Sequence, residues 1–172
     1  MTTLDVFVED RILHIIYSTK SIPDVLDRLG SLYEGFIAHR VGINAPSRVW
    51  TQWLQSIHDP TTNTYDKNYT SKPFNTQMDD ASTIPIHVLK RFTIKQFDYV
   101  IVYPSWDKGE TRRHELLHAK YHMDEGYRKM VEKTWNRLNA FEQQKMQKRL
   151  KALGYPEAVH LDEWQAHGLM PR

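Results

Sequence analysis

The 172-residue chain contains no cysteine. That excludes disulfides, thiolate zinc sites, iron–sulfur clusters and a cysteine nucleophile. Any metal site must therefore use histidine and carboxylate ligands. No run approaches the 18 apolar residues of a spanning helix, so no membrane partner is expected. The N-terminal stretch Met1–Asp10 has neither a basic start nor a long apolar core, which reads as an intracellular protein without a signal peptide. Without secretion, the sequon at Asn68 has no glycan to carry. Internal repeats and low-complexity segments are absent. A formal net charge of +2 is too small to imply nucleic acid or membrane by itself. What remains is ordinary globular composition, 40% hydrophobic and 26% charged, long enough for one domain spanning residues 1–172.

The expected fold is α+β and predominantly helical. Residues 3–17 read as an apolar helix, with a strand as the alternative. From 22 to 39, Ile22, Val25, Leu26, Leu29, Leu32, Tyr33 and Phe36 recur at the helical period, with Ser21 as a candidate N-cap. A further helix is expected from Pro46 to about His58, burying Val49, Trp50, Trp53, Leu54 and Ile57. Residues 58–83 are dominated by Asp, Asn, Thr, Ser and Pro and read as a long polar loop or flap. The first 83 residues would thus be helical support plus this loop.

Residues 84–172 would supply short strands and the helices that carry the chemistry. Ile84–Leu89 and Phe97–Tyr103 are the strand candidates, the second ended by Pro104. Helices follow over about 111–123, 125–138 and 140–153, the last with Asn139 and Glu142 in capping-box spacing, and a short one over 157–168.

The informative segment is His114-Glu115-Leu116-Leu117-His118. On a helix, residues four apart share a face about 6 Å apart along the axis, so both imidazoles can reach one Zn²⁺. Glu115 projects beside them, placed to hold a water and take its proton as general base. A scissile amide needs both activations, because it is a poor electrophile and water a poor nucleophile. His122, about 12 Å along the axis from His114, cannot share that metal on a straight helix.

The pattern resembles the zincin metallopeptidases over this helix and, more loosely, over residues 84–168. The resemblance implies that His114 and His118 are zinc ligands, that Glu115 is the catalytic base, and that Phe97–Tyr103 is the strand lining the substrate cleft. The third ligand stays open between three options. Asp162-Glu163-Trp164-Gln165-Ala166-His167 is similar to the gluzincin ligand segment, with Glu163 on the ligand position, but has His167 where that family carries an orienting Asp. The 44-residue spacer from His118 to Glu163 would be filled by a returning helical hairpin. Asp124 is the option nearer the metzincin spacing, which lacks its glycine here because position 121 is Tyr. His160 or His167 is the third possibility. A ligating histidine normally donates its second N–H to a carboxylate or carbonyl, for which Asp124 and Asp162 are candidates. Tyr155, His160 and His167 are candidate donors to a developing oxyanion.

The expectation is a small zinc metallopeptidase acting on a peptide or protein, laid along the Phe97–Tyr103 strand by β-augmentation. The alternative is a catalytically inactive binding protein on a zincin scaffold. It would act through the basic C-terminal helices, where eight Lys and Arg between Arg128 and Lys151 face only Glu132 and Glu142 and could meet nucleic acid.

Overall fold

The computed structural model describes residues 4–34, 37, 40–58, 89–92 and 95–170. All of the polar loop of 58–83 except residue 58, and nearly all of the Ile84–Leu89 strand candidate, lie outside them. The described residues form a four-stranded sheet and six α-helices, a small α+β fold that is predominantly helical. No described helix is long and apolar enough to cross a membrane.

The first segment is a hairpin rather than a helix. Strands β1 (Leu4–Glu9) and β2 (Ile12–Tyr17) pair antiparallel, with Leu4 opposite Tyr17 and Glu9 opposite Ile12. Asp10 and Arg11 make the two-residue turn, both at positive φ (48° and 61°), the geometry that matches strand twist. A helical reading of 3–17 fails because Ile12–Tyr17 is buried on both faces as an inner strand. Its apolar run shows no alternation to identify it.

Strand β3 (Ile43–Pro46) and strand β4 (Tyr99–Pro104) complete the sheet in the order β1-β2-β4-β3. β4 runs parallel to β2 and antiparallel to β3. Every residue of β4 is buried, as a β-branched and aromatic strand with neighbours on both edges requires.

Helices α1 (Asp24–Glu34) and α2 (Ser47–His58) cover one sheet face. Leu13, Ile15, Val100 and Val102 meet Leu26, Leu29, Trp50 and Trp53 there, and Trp53 Nε1 donates to the Val25 carbonyl at 2.8 Å. Each such fully buried aliphatic side chain contributes about 1.5–3 kcal/mol of transfer free energy.

The opposite face receives α3 (Glu110–Met123), which packs Leu116 and Ala119 on Ile12, Tyr99, Ile101 and Tyr103. Asp107 satisfies the start of α3 from outside, accepting from the amides of Gly109 (2.9 Å) and Thr111 (2.6 Å). Beyond α3, helices α4 (Glu125–Asn136), α5 (Ala140–Ala152) and α6 (His160–Ala166) gather around Val131, Leu150 and Trp164. The Asn139–Glu142 capping box forms as the spacing predicts. A short 3₁₀ turn, Glu157–Val159, leads the chain into α6. The α4–α5 hairpin is what returns α6 to α3.

Candidate metal centre

His114 and His118 stand one turn apart on α3, with their Nε2 atoms 3.1 Å from each other. Glu163, from α6, completes a triangle. Its Oε2 lies 3.7 Å from His114 Nε2 and its Oε1 lies 3.6 Å from His118 Nε2. These three residues form a group whose donor atoms could hold one ion. Donor atoms on a tetrahedral zinc with bonds of 2.0–2.1 Å stand about 3.3 Å apart, so the spacing fits.

The surroundings fit too. Glu163 is 2% exposed; its carboxyl has the Tyr155 hydroxyl as a hydrogen-bond partner, but Oε2 has no partner in hydrogen-bond geometry. A buried carboxylate oxygen without a donor is costly unless a cation or proton meets it. Asp162 Oδ1 lies 2.8 Å from His118 Nδ1. Because an ionised carboxylate only accepts, it places the proton of a neutral His118 on Nδ1 and leaves Nε2 with its lone pair toward the cluster. His114 hydrogen-bonds the backbone of Ala166. The seven residues of α6 thus orient both histidines as well as supplying the carboxylate.

Helix α6 is held in place by Gln165. Its amide nitrogen donates to the Leu117 carbonyl (3.2 Å) and to Asp162 Oδ1 (2.9 Å), and its oxygen accepts from the Tyr127 hydroxyl (2.9 Å). Trp164 packs edge-on against Trp135 with ring centroids 5.0 Å apart.

Burial and mutual charge set the protonation pattern. Burial, with the nearby His118 and His167, pushes His114 down to about 3. Burial also works against a charged His118, but the hydrogen bond and charge of Asp162, helped by Glu163 and Glu115, outweigh it and raise His118 to about 10. Glu163 is pushed up to about 8, chiefly by burial, against the opposing charge of His118.

Glu115 lines the same cavity as the three candidate ligands, a space of about 390 Å³. It is 4% exposed, and burial raises its pKa to about 8, opposed by His118 and by a hydrogen bond from Asn44. Asn44 Nδ2 donates to Glu115 Oε2 at 3.1 Å and to Glu34 Oε1 at 2.6 Å, and Asn44 Oδ1 accepts from the Tyr99 hydroxyl at 2.6 Å. Gly42 faces Glu115 so closely that a Cβ there would overlap the Glu115 carboxylate. Arg40 reaches Glu34 at 3.5 Å and Asp27 at 3.2 Å.

The other sequence candidates divide. His167 borders the cluster, its Nε2 lying 3.5 Å from Glu163 Oε2 and its ring centroid 4.7 Å from that of His114. Tyr155 lines the cavity, with its hydroxyl 3.4 Å from His167 Nε2 and its pKa driven up by burial. Asp124 is exposed and not part of the group: it caps α4, accepting from the Tyr127 amide at 2.9 Å. His160 bonds the Tyr155 carbonyl at 2.9 Å, and His122 packs on Tyr99 with ring centroids 5.0 Å apart.

Strand β4 cannot take a substrate strand over 99–102, because β3 already pairs with it there and β2 occupies its other edge. The expected substrate edge is thus an inner strand of the sheet. Among the described residues β3 is the outer neighbour, and Gly42 and Asn44 from this segment line the cavity.

Glu34, Arg40, Gly42, Asn44 and Tyr99 were not singled out from the sequence. Two signals existed. Asn44 interrupts the apolar stretch from Val41 to Ala45, and Glu34 falls four residues after Gly30 on the buried side of α1. No protein-family model, curated protein or solved structure matches the chain.

Proposed function

We propose that this protein is a zinc-dependent metallopeptidase resembling the gluzincin type. His114, His118 and Glu163 would hold the ion, and Glu115 would be the general base. The observation that carries the reading is the convergence of two imidazole nitrogens and the two oxygens of Glu163 at 3.1–3.7 Å, with Asp162 fixing the His118 tautomer behind them.

A zinc ion bound there supplies Lewis-acid activation of water and of the scissile carbonyl. Glu115 takes a proton from the attacking water as its oxygen bonds to the carbonyl carbon. As the carbon–nitrogen bond breaks, Glu115 returns the proton to the leaving amine. Burial raises the proton affinity of this carboxyl, which favours its taking the proton of the water. His167 and Tyr155, at the rim of the cluster, would be the donors to the developing oxyanion. The cavity combines apolar walls from Ile37, Val41 and Leu153 with these polar groups, which suits a short peptide segment.

Metal analysis and a hydrolysis assay test this together. The protein should bind one equivalent of zinc at neutral pH; failure to do so removes the basis of the reading. Glu115→Gln should keep the zinc and lower turnover of a fluorescence-quenched peptide library by roughly 10²–10⁴-fold. Glu163→Ala should weaken zinc itself, and unweakened binding would refute its assignment as the third ligand.

A further inference from the structure

We infer that Asn44 is a positioning residue for Glu115, fixing the orientation of the carboxylate that acts as base; this rests on the hydrolytic reading above. Three observations carry it. First, strand alternation turns Ile43 and Ala45 into the core under α1 and α2, and turns Asn44 to the α3 side of the sheet. A primary amide on that buried face, 3% exposed, is costly without partners.

Second, its partners leave it one orientation. Each carboxyl keeps an accepting oxygen whether it is ionised or protonated on its other oxygen, so the NH₂ faces both, at 2.6 and 3.1 Å. The Tyr99 hydroxyl, 2.6 Å from Oδ1, donates to the other end and opposes a flip. The amide is therefore a bridge locked from behind by a second strand.

Third, the contact with Glu115 is one-sided. Oε2 is taken by Asn44, and Oε1 lies against Gly42, where only the absence of a side chain leaves room. The carboxylate is thus met at one oxygen by Asn44 and at the other by the Gly42 backbone, beside the histidines of the same helix turn. General-base catalysis is steep in geometry: a misplacement of about 1 Å can cost 10²-fold.

Two readouts test the inference. In the zinc-free protein, ¹⁵N spectra should show the Asn44 side-chain amide protected from exchange, and Glu115→Ala should shift its resonances and speed that exchange. An unprotected amide that ignores Glu115→Ala overturns the inference, whatever the protein hydrolyses. In the zinc-loaded protein, Asn44→Ala should lower kcat for the peptide library by roughly 10–100-fold with zinc stoichiometry and KM unchanged.

Asn44→Ala takes one hydrogen-bond partner from each of three buried polar groups, so Tyr99→Phe is the gentler second variant. It removes only the hydroxyl that locks the amide, and should lower kcat several-fold in the same pattern. Wild-type kcat in both folded variants overturns the inference and leaves the hydrolytic reading standing. A wild-type protein that binds zinc but cleaves nothing overturns the hydrolytic reading and the catalytic part of this inference with it, while the amide spectra still decide the contact.

Discussion

Glu34 offers a test of how burial and a neighbouring cation compete in this fold. Its carboxyl is 8% exposed on the inner side of α1. Burial raises its pKa, and the Arg40 guanidinium at 3.5 Å, with the Asn44 hydrogen bond, pulls the other way. Burial prevails, leaving Glu34 at about 7 against an ordinary value of 4.5. A carboxyl raised on folding holds its proton longer in the native state than in the unfolded chain. Its contribution is fully present below pH 4.5 and is lost as pH rises through 7. One pKa unit is 1.36 kcal/mol, so the loss between pH 5 and pH 8 is about 2–3 kcal/mol. Glu34→Gln cannot titrate. Urea unfolding of the zinc-free protein, wild type and variant, at pH 5 and pH 8 reads the effect, to which the loss of the upward pull of Glu34 on Glu115 and Glu163 adds in the same direction. The variant should be the less stable at pH 5, because its amide presents NH₂ where Arg40 needs an acceptor. Its deficit should shrink by about 2–3 kcal/mol at pH 8. A deficit that stays constant within about 0.5 kcal/mol would mean that Arg40 and Asn44 keep Glu34 ionised throughout, and the reasoning from burial would be wrong.

Asp162→Asn removes the charged acceptor at His118 Nδ1 and should weaken zinc by roughly 10–100-fold at pH 9, read by competition with a chromophoric chelator. The loss should be smaller at pH 7, since the same carboxylate raises His118 and so favours a competing proton there. Gly42→Ala should displace the Glu115 carboxylate by overlap with the new Cβ, lowering kcat at least 10-fold while zinc stoichiometry, measured by metal analysis, stays at one.

The helices were legible because α1 and α2 each show the sheet a stripe of Val, Leu and Trp at the 3.6 period, and because Asn139 and Glu142 spell a cap. The N-terminal hairpin was not. Ile12-Leu13-His14-Ile15-Ile16-Tyr17 is an inner strand, and burial on both faces erases the alternation that would separate it from a helix. Within the site the same logic holds. His114 and His118 declare themselves by a local spacing that one helix turn explains. Asn44 and Glu34 act on Glu115 from segments some seventy and eighty residues earlier in the chain, and only the pairing of β3 with β4 brings Asn44 under α3. The orienting carboxylate fell between these cases. His167 occupies the position where the gluzincin pattern places an Asp, yet Asp162, on the preceding turn of α6, is the group that meets His118.

That substitution of place bears on why α6 can be so short. Seven residues would be a marginal helix alone, since nucleation is costly and few internal hydrogen bonds follow it. Here Trp164 is buried against Trp135, and Gln165 ties α6 to both α3 and α4. The opposite side of α6 gathers like-signed and polar groups that would otherwise avoid one another: Asp162, Glu163 and two imidazole nitrogens 3.1 Å apart. Without a cation, protons must do the neutralising, and the raised values of His118 and Glu163 are the signature of that demand. A divalent ion would answer the same demand with one particle in place of two protons, so this group of residues could hold a metal. Hydrophobic anchoring on one side of α6 thus holds an electrostatically unfavourable face in place on the other, and that face opens on the cavity beside Glu115.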